Sequence, residues 1–223
     1  MRDSLRTFVA ILGLAVATAT SSAAVLSLDS FEAYTNNQAI GTSATSTPWL
    51  RFGGVADNLV ATTSSPLDGS VSAKIPVSVT TSTSATIRYN NFGSATNLSL
   101  YKSATVLTKS LAASPTTQLQ LSITNATTSY TSNALLVEST SGQSLTFYLD
   151  NPAVFARASG SDSFATVLST VTAIGFRITS TSATTVNETL VFDDFSLSTV
   201  PEPASAGGLV FASWAGFLRR RRR

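Results

Sequence analysis

The feature that most constrains the fold of this chain is a series of short segments in which apolar and polar residues alternate. Successive side chains of a β-strand point to opposite faces, so each such segment predicts a strand with one buried face. Gly, Pro and Asn separate the segments, and no long helical pattern occurs. The sequence therefore predicts an all-β fold, a two-sheet antiparallel β-sandwich. The clearest alternating segments are Val71–Val77, Ala85–Tyr89, Leu119–Ile123, Ile174–Ile178 and Thr189–Ser198.

The remaining segments give less regular patterns. Residues from Val25 predict a first strand that runs into a loop at the rim of the sandwich, and Asn36 to Pro48 predicts a loop. Leu98, Leu100 and Lys102 predict a further strand. Apolar residues between Phe164 and Val171 have helical spacing and predict one or two helical turns.

Two residue types that carry much of enzyme chemistry are absent. The chain contains no Cys and no His. Disulfides, thiolate or imidazole metal sites, and Ser-His-Asp or Cys-His nucleophile systems are therefore excluded. Any catalysis would depend on carboxylates, hydroxyl groups, Lys or Tyr, and no acid pair stands in a recognisable signature. We expect a protein that is not an enzyme.

The N-terminus has the three parts of an export signal. Arg2 and Arg6 form a positively charged region, Phe8 to Ala17 is apolar, and small residues follow from Ser21 to Ala24. This order is typical of a signal peptide that signal peptidase removes. We predict that residues 1–24 are the signal peptide.

The C-terminus, residues 200–223, has a matching three-part pattern. Ala204 to Leu218 is uncharged and would form a helix of roughly 22 Å, shorter than the ~30 Å hydrocarbon core of a bilayer. The arginines after it would stay on the cytoplasmic side of the inner membrane. An ordinary transmembrane anchor with basic residues is one interpretation. The flanking residues are Pro201, Glu202 and Pro203 before the segment, and Arg219, Arg220, Arg221, Arg222 and Arg223 after it.

This order of Pro-Glu-Pro, apolar helix and arginine cluster closely resembles the PEP-CTERM sorting signal of Gram-negative bacteria. The resemblance covers only the tail. It implies recognition by an exosortase, a membrane protease-transpeptidase, and transient insertion of a transmembrane helix in the inner membrane. The mature protein would then lie at the outer cell surface or be secreted.

Removal of both signals would leave one β-sandwich domain at residues 25–199. This segment contains seven Lys and Arg and ten Asp and Glu, so its net charge is about −3. The basic balance of the whole chain belongs to the two terminal segments. We therefore expect no binding to nucleic acid.

The domain has a second resemblance, to jelly-roll domains of the galactose-binding-like group, which includes many carbohydrate-binding modules. The residues that carry it are Asp29–Glu32, Trp49, Leu67–Lys74 and Val191–Leu197. The resemblance implies two face-to-face antiparallel sheets.

In many such jelly rolls a carboxylate near the first strand and one on the last strand hold a structural calcium ion. The matching residues are Glu32 and Asp193, with Asp29 as a further candidate. Strict alternation would place Asp193 on the same face as its apolar neighbours Val191 and Phe195. A carboxylate there needs either calcium or backbone donors. Asp194 would face solvent.

A sugar-binding site usually combines an exposed aromatic ring with hydrogen-bonding groups. Trp49 stands beside Leu50 and Phe52, which favours a place in the core over an exposed platform. The five tyrosines are the other candidate rings, and no sugar is identified by them. These tyrosines are Tyr34, Tyr89, Tyr101, Tyr130 and Tyr148.

The leading hypothesis is a non-catalytic bacterial surface or matrix protein, associated with exopolysaccharide or biofilm and sorted by an exosortase. The first alternative is a carbohydrate-binding module with an aromatic cluster on a concave sheet. The second is a carboxylate-dependent glycosidase or lyase, which would need two acids about 5–10 Å apart in a cleft.

Overall fold

The computed structural model describes residues 24–42, 48–54, 58–92, 94–137 and 141–199. Within these ranges lie fourteen strands, one short α-helix, α1 (Phe164–Ser169), and a 3₁₀ turn at Pro152–Val154. The strands are β1 (Val25–Asp29), β2 (Ala39–Thr42), β3 (Trp49–Gly53), β4 (Leu59–Thr62), β5 (Ser72–Val79), β6 (Ala85–Tyr89), β7 (Ser103–Ser110), β8 (Thr117–Thr124), β9 (Ser129–Ser132), β10 (Leu135–Leu136), β11 (Gln143–Tyr148), β12 (Phe155–Ser159), β13 (Ala173–Ser180) and β14 (Val186–Ser198).

These strands form two antiparallel layers. Sheet A has the order β11-β7-β14-β5-β4-β2, with β1 added to the end of β14. Sheet B has the order β3-β6-β13-β8-β9-β12, with β10 beside β8. A short parallel pairing of β2 with β3 connects the two sheets. The predicted all-β two-sheet sandwich is confirmed.

The inward faces of both sheets meet in one apolar core. Phe176 of sheet B stacks on Phe192 of sheet A, with ring centroids 5.7 Å apart, and also contacts Phe195 and Phe147. The alternation predicted from the sequence is clear in β5, where Ala73 and Ile75 are fully buried. Burial of such apolar surface is the main force that holds the two layers together.

Several predicted elements were wrong or missing. The strand predicted from Leu98 is absent, and the chain forms a turn there. In a strand Leu98 and Leu100 would lie on the same face, but Leu98 is buried and Leu100 is 73% exposed. The next strand, β7, begins shortly after this turn. Polar residues, Thr108 and Ser110, occupy two of its inward positions, so its sequence does not show the alternation of apolar and polar residues. Residues 39–42 are a strand within the predicted loop. The predicted helical turns are confirmed at α1, which Ser163 caps through its side chain.

The last strand contains a β-bulge that the sequence analysis did not predict. Register with β7 shifts between Asp193 and Ser196, and Asp194 has φ +45°. As a result Phe192 and Phe195 both enter the core, although they are three residues apart. The prediction that Val191, Asp193 and Phe195 share one face is therefore wrong, since one extra residue reverses the alternation.

The predicted signal helix and the predicted C-terminal hydrophobic helix lie outside the described residues. Within the described ranges, no helix has the length and apolar character needed to cross a membrane.

Candidate functional site

Glu32 and Asp193, the two residues predicted to hold calcium, both contact the loop from Asp68 to Ser72. Glu32 accepts hydrogen bonds from the backbone N–H groups of Ser70 and Val71, at 2.8 and 3.0 Å, and from the Ser70 hydroxyl at 2.7 Å. Asp193 accepts from the Ser72 hydroxyl at 2.6 Å and the Asp68 N–H at 3.1 Å. The two carboxylates therefore fix this loop between β4 and β5.

These two carboxylates have opposite electrostatic settings. Hydrogen bonds from Val71 and Ser70 hold the pKa of the exposed Glu32 below its ordinary value. Burial raises the pKa of Asp193, and its hydrogen bonds from Ser72, Asp68 and Asp194 offset part of that effect. Asp194 faces solvent, as predicted. Partial desolvation and the nearby Asp68 raise the pKa of Asp194.

The chain itself provides the donors that a buried Asp193 requires. Both oxygens of Glu32 and of Asp193 accept hydrogen bonds, the second oxygen of Asp193 from the Asp194 N–H at 2.9 Å. In the part of the chain that the structure describes, no three Asp or Glu side chains form a group that could hold a metal ion. The arrangement does not form a calcium shell by itself, and the calcium site stays a prediction.

The aromatic rings singled out in the sequence are mostly part of the core. Trp49 is 1% exposed, stacks on Phe31, and donates from Nε1 to Asp29 at 2.8 Å. This confirms the interpretation of Trp49 as a core residue. Tyr34 donates to the same Asp29, and Tyr130 packs on Phe164. Among the described residues, the exposed rings are Phe52, 45% exposed on sheet B, and Tyr148, 42% exposed on sheet A.

Phe52 belongs to a row of polar side chains on the outer face of sheet B. The register places Phe52 of β3 opposite Thr86, Thr86 opposite Arg177, and Arg177 opposite Gln120. A parallel row starts at Leu50 and continues through Arg88, Gly175, Ser122 and Thr131. We call the outer face formed by Phe52, Arg88, Gly175, Arg177 and Gln120 the arginine face.

Arg177 is held in place by its neighbours on the arginine face. Its Nη1 donates to Gln120 Oε1 at 2.8 Å and its Nε donates to Ser84 Oγ at 3.3 Å. Gln120 in turn donates to the Ser132 carbonyl at 2.9 Å. These hydrogen bonds hold the guanidinium group in place through its Nε and Nη1 atoms.

Arg88 has a different environment. Its guanidinium carbon lies 5.3 Å from the centre of the Phe52 ring, a cation–π distance. Its Nε is buried without a hydrogen-bond partner, and burial lowers the pKa of this side chain. Gly175 lies opposite Arg88 on β13, and a Cβ at Gly175 would collide with the Ile87 carbonyl oxygen. The lack of a side chain at Gly175 therefore lets β13 approach the backbone of β6 closely at this point.

The sequence analysis missed the arginine face. Alternation alone places Arg88 outward, between the buried Ile87 and the half-buried Tyr89, and places Arg177 outward in the same way. The pairing of β6 with β13 brings the two together, and that pairing joins segments far apart in the chain. The alternation of residues within each segment predicts that both arginines point outward, but it does not predict that they lie on neighbouring strands.

Sheet A has a shallow groove of about 290 Å³ on its outer face. The groove is lined by Asn58, Val60, Lys74, Thr189 and Val191, among others. The described residues of this lining provide hydroxyl, amide and ammonium groups, and no aromatic ring or carboxylate is among them.

No family model matches this chain, and no curated protein matches its sequence. Its fold is nevertheless similar to those of solved carbohydrate-binding modules. The family 11 carbohydrate-binding module of the cellulosomal cellulase Lic26A-Cel5E of Clostridium thermocellum is 13% identical, with a TM-score of 0.53 over 79% of this chain and 95% of that one. A solution structure of CtCBM11 is 15% identical, with a TM-score of 0.55 over 82% and 99%.

Some larger enzymes contain a similar domain. The arabinose-bound α-L-arabinofuranosidase MgGH51 is 15% identical, with a TM-score of 0.51 over 78% of this chain but only 26% of the enzyme. At this level of identity the likeness shows the shared fold, which different functions can use.

Proposed function

We propose that this protein is an exported, non-catalytic surface protein that binds polysaccharide on the arginine face. The observation that supports this proposal is the exposed Phe52 ring beside two arginines and Gln120 on one open sheet. Aromatic rings pack on the apolar faces of sugars, and Arg and Gln donate hydrogen bonds to sugar oxygens. The carbohydrate-binding modules with the same fold support this choice over a purely structural role.

Affinity gel electrophoresis with a panel of immobilised polysaccharides tests the proposal. We expect at least one polymer to retard the protein, and we expect Phe52→Ala to weaken that retardation. Tyr148→Ala is the matched control, because Tyr148 is similarly exposed but lies on sheet A. Equal effects of the two substitutions, or none from Phe52→Ala, would contradict a binding site on the arginine face.

The terminal segments, residues 1–24 and 200–223, would determine where the binding domain acts. In this proposal signal peptidase removes the first segment during export. An exosortase acts near Pro201-Glu202-Pro203, while the apolar helix and Arg219–Arg223 hold the chain in the inner membrane. The mature protein would then lie at the outer surface of a Gram-negative cell or in its extracellular polysaccharide.

Intact mass and cell fractionation test the sorting step. We expect the mature protein to lack the residues after about position 200, and a variant with alanines at Pro201, Glu202 and Pro203 to stay in the inner membrane. A wild-type protein that keeps Arg223 and remains in that membrane would instead have a simple anchor.

A structural calcium at Glu32 and Asp193 is a separate part of the proposal. Bound calcium stabilises only the folded state, so it would raise the midpoint of thermal unfolding. Unfolding with added calcium and with EDTA tests this site. Identical midpoints would exclude a structural ion and leave the hydrogen bonds to the 68–72 loop as the only support for these carboxylates.

A further inference from the structure

The charges on the arginine face differ from those of the domain as a whole. Residues 25–199 have a net charge of about −3. The outward positions of β3, β6, β13 and β8, however, hold Arg88 and Arg177 and no Asp or Glu. The described acids lie elsewhere, for example at the 68–72 loop. Counted over the described residues, this face is therefore locally positive, on a domain whose net charge is negative.

The strand register places the two arginines as diagonal neighbours on adjacent strands. Arg88 is opposite Gly175, and Arg177 is two residues further along β13. Diagonal neighbours of this kind are roughly 7–8 Å apart in an antiparallel sheet. Gly175 adds no side chain to this part of the face, and the position that its Cβ would take is filled by the Ile87 and Arg88 backbone.

Neither arginine has an ionic partner in the described parts of the chain. Arg177 bonds only to the neutral side chains of Gln120 and Ser84. Arg88 contacts the Phe52 ring, and its Nε, partly desolvated, has no acceptor. A partly desolvated cation without an anionic partner costs free energy, so an external anion that reaches the guanidinium ends would stabilise this arrangement.

From this geometry we infer that the ligand of the arginine face is a polysaccharide with carboxylate groups, a polymer of uronic acids. The inference depends on the proposed function and names the class of sugar. The planar guanidinium presents a fork of N–H groups that matches a carboxylate and bonds to both of its oxygens. Phe52 would pack on the sugar ring while the arginines hold the carboxylates.

Affinity electrophoresis at 150 mM NaCl with polygalacturonate or alginate tests the inference. A carboxyl-reduced form of the same polymer is the matched ligand, since it keeps the sugar backbone without the charge. We expect retardation by the uronate polymer and a loss of roughly tenfold or more in affinity with the reduced polymer, as charge-assisted hydrogen bonds disappear.

Variants locate the effect on the protein. We expect Arg88→Gln and Arg177→Gln each to reduce affinity for the uronate polymer by roughly tenfold. Arg88→Lys, which keeps the charge but loses the fork, should fall between Arg88→Gln and the unmodified protein. The double control Lys74→Gln with Lys109→Gln removes two charges from sheet A and should leave binding unchanged. Thermal unfolding of each variant establishes that it is folded.

The outcomes separate the inference from the proposed function. If the carboxyl-reduced polymer bound as tightly as the uronate polymer, and Phe52→Ala abolished that binding, the uronate inference would be overturned. The proposed glycan site would stand. No binding to any neutral or acidic polymer would overturn both. A further outcome is that dextran sulfate retards the protein as strongly as the uronate polymer does, with the lysine control losing as much affinity as the arginine variants. That result would show a general attraction to polyanions and would also overturn the inference.

Discussion

Asp193 shows how a single buried carboxylate obtains its hydrogen-bond donors at the rim of the sandwich. Its side chain is 1% exposed, yet donors from Ser72, Asp68 and Asp194 satisfy both oxygens. Removal of the Asp193 carboxylate would leave the Ser72 hydroxyl and the Asp68 N–H without this hydrogen-bond acceptor. We expect the free energy of unfolding to fall by about 1–3 kcal/mol. The sequence predicted a calcium ligand at this position, whereas two of the three donors that the structure gives it, Ser72 and Asp68, are distant in the chain.

The pH dependence of stability follows from the raised pKa of Asp193. Because the folded pKa lies above the ordinary value of 3.8, the protonated form suits the folded state better. This contribution to stability is complete below pH 3.8 and is lost as pH rises through the folded pKa. Asp193→Asn has no carboxyl group to titrate at this position, so it does not lose this stability as pH rises. The free energy of unfolding of the variant minus that of the wild type should therefore increase from pH 3.5 to 7.

Urea unfolding at several pH values measures this difference. Glu32 contributes in the opposite direction, since its lowered pKa favours the folded state above pH 4.5 and that contribution is lost on acidification. Glu32→Gln should therefore show the reverse trend relative to the wild type. Parallel curves for the wild type and Asp193→Asn would contradict a titration of Asp193 that is linked to folding.

The bulge in β14 is the element that departs most from regular strand geometry. Asp194 adopts φ +45°, a left-handed backbone conformation that glycine tolerates and other residues adopt at a cost. The extra residue lets both Phe192 and Phe195 reach Phe176. The same bulge also turns Asp193 away from the apolar core and toward the 68–72 loop.

Glycine and alanine at position 194 should reveal this backbone strain. Both substitutions remove the carboxylate, so they differ only in the Cβ. We expect Asp194→Gly to have a free energy of unfolding about 1–2 kcal/mol higher than Asp194→Ala, measured by urea unfolding. The control pair is Ser196→Gly and Ser196→Ala, at the end of the bulge but without a positive φ, where the glycine variant should be less stable by about 0.5–1 kcal/mol. The same order at both positions would contradict a left-handed residue 194.

At the scale of the whole molecule, the two ends of the sandwich domain meet. β1 pairs with the end of β14, with Val25 opposite Ser198. Just beyond, the Thr199 N–H donates to the Ala24 carbonyl at 3.1 Å, and the Ala24 N–H donates to the Thr199 hydroxyl at 3.0 Å. The predicted processing sites therefore flank a closed unit, and removal of both terminal segments would not interrupt a strand.

A protein of residues 24–199 should fold on its own. We expect it to unfold in a single cooperative transition, because the described core lies within these residues. A further truncation to residues 30–199 removes β1 and uncovers part of β14, so its midpoint should be lower. Calorimetry of both forms tests this prediction. A non-cooperative transition in residues 24–199 would show that the terminal segments contribute to the fold.

The sequence by itself determined the fold class, the separation of basic termini from an acidic domain, and the burial of Trp49. These properties depend on local features, namely the period-two alternation, the composition of each segment and the immediate neighbours of one ring. Even there the alternation failed in β7, where Thr108 and Ser110 face inward, and at Asp194, where one extra residue reverses it.

Only the tertiary structure decided which side chains meet. Arg88 and Arg177 are each unremarkable outward residues until β6 pairs with β13 around Gly175. Asp193 similarly finds its donors in a loop that precedes another strand. Strand pairing and register are set by the packing of the complete core, so the sites that depend on them are properties of the folded chain and not of any one segment.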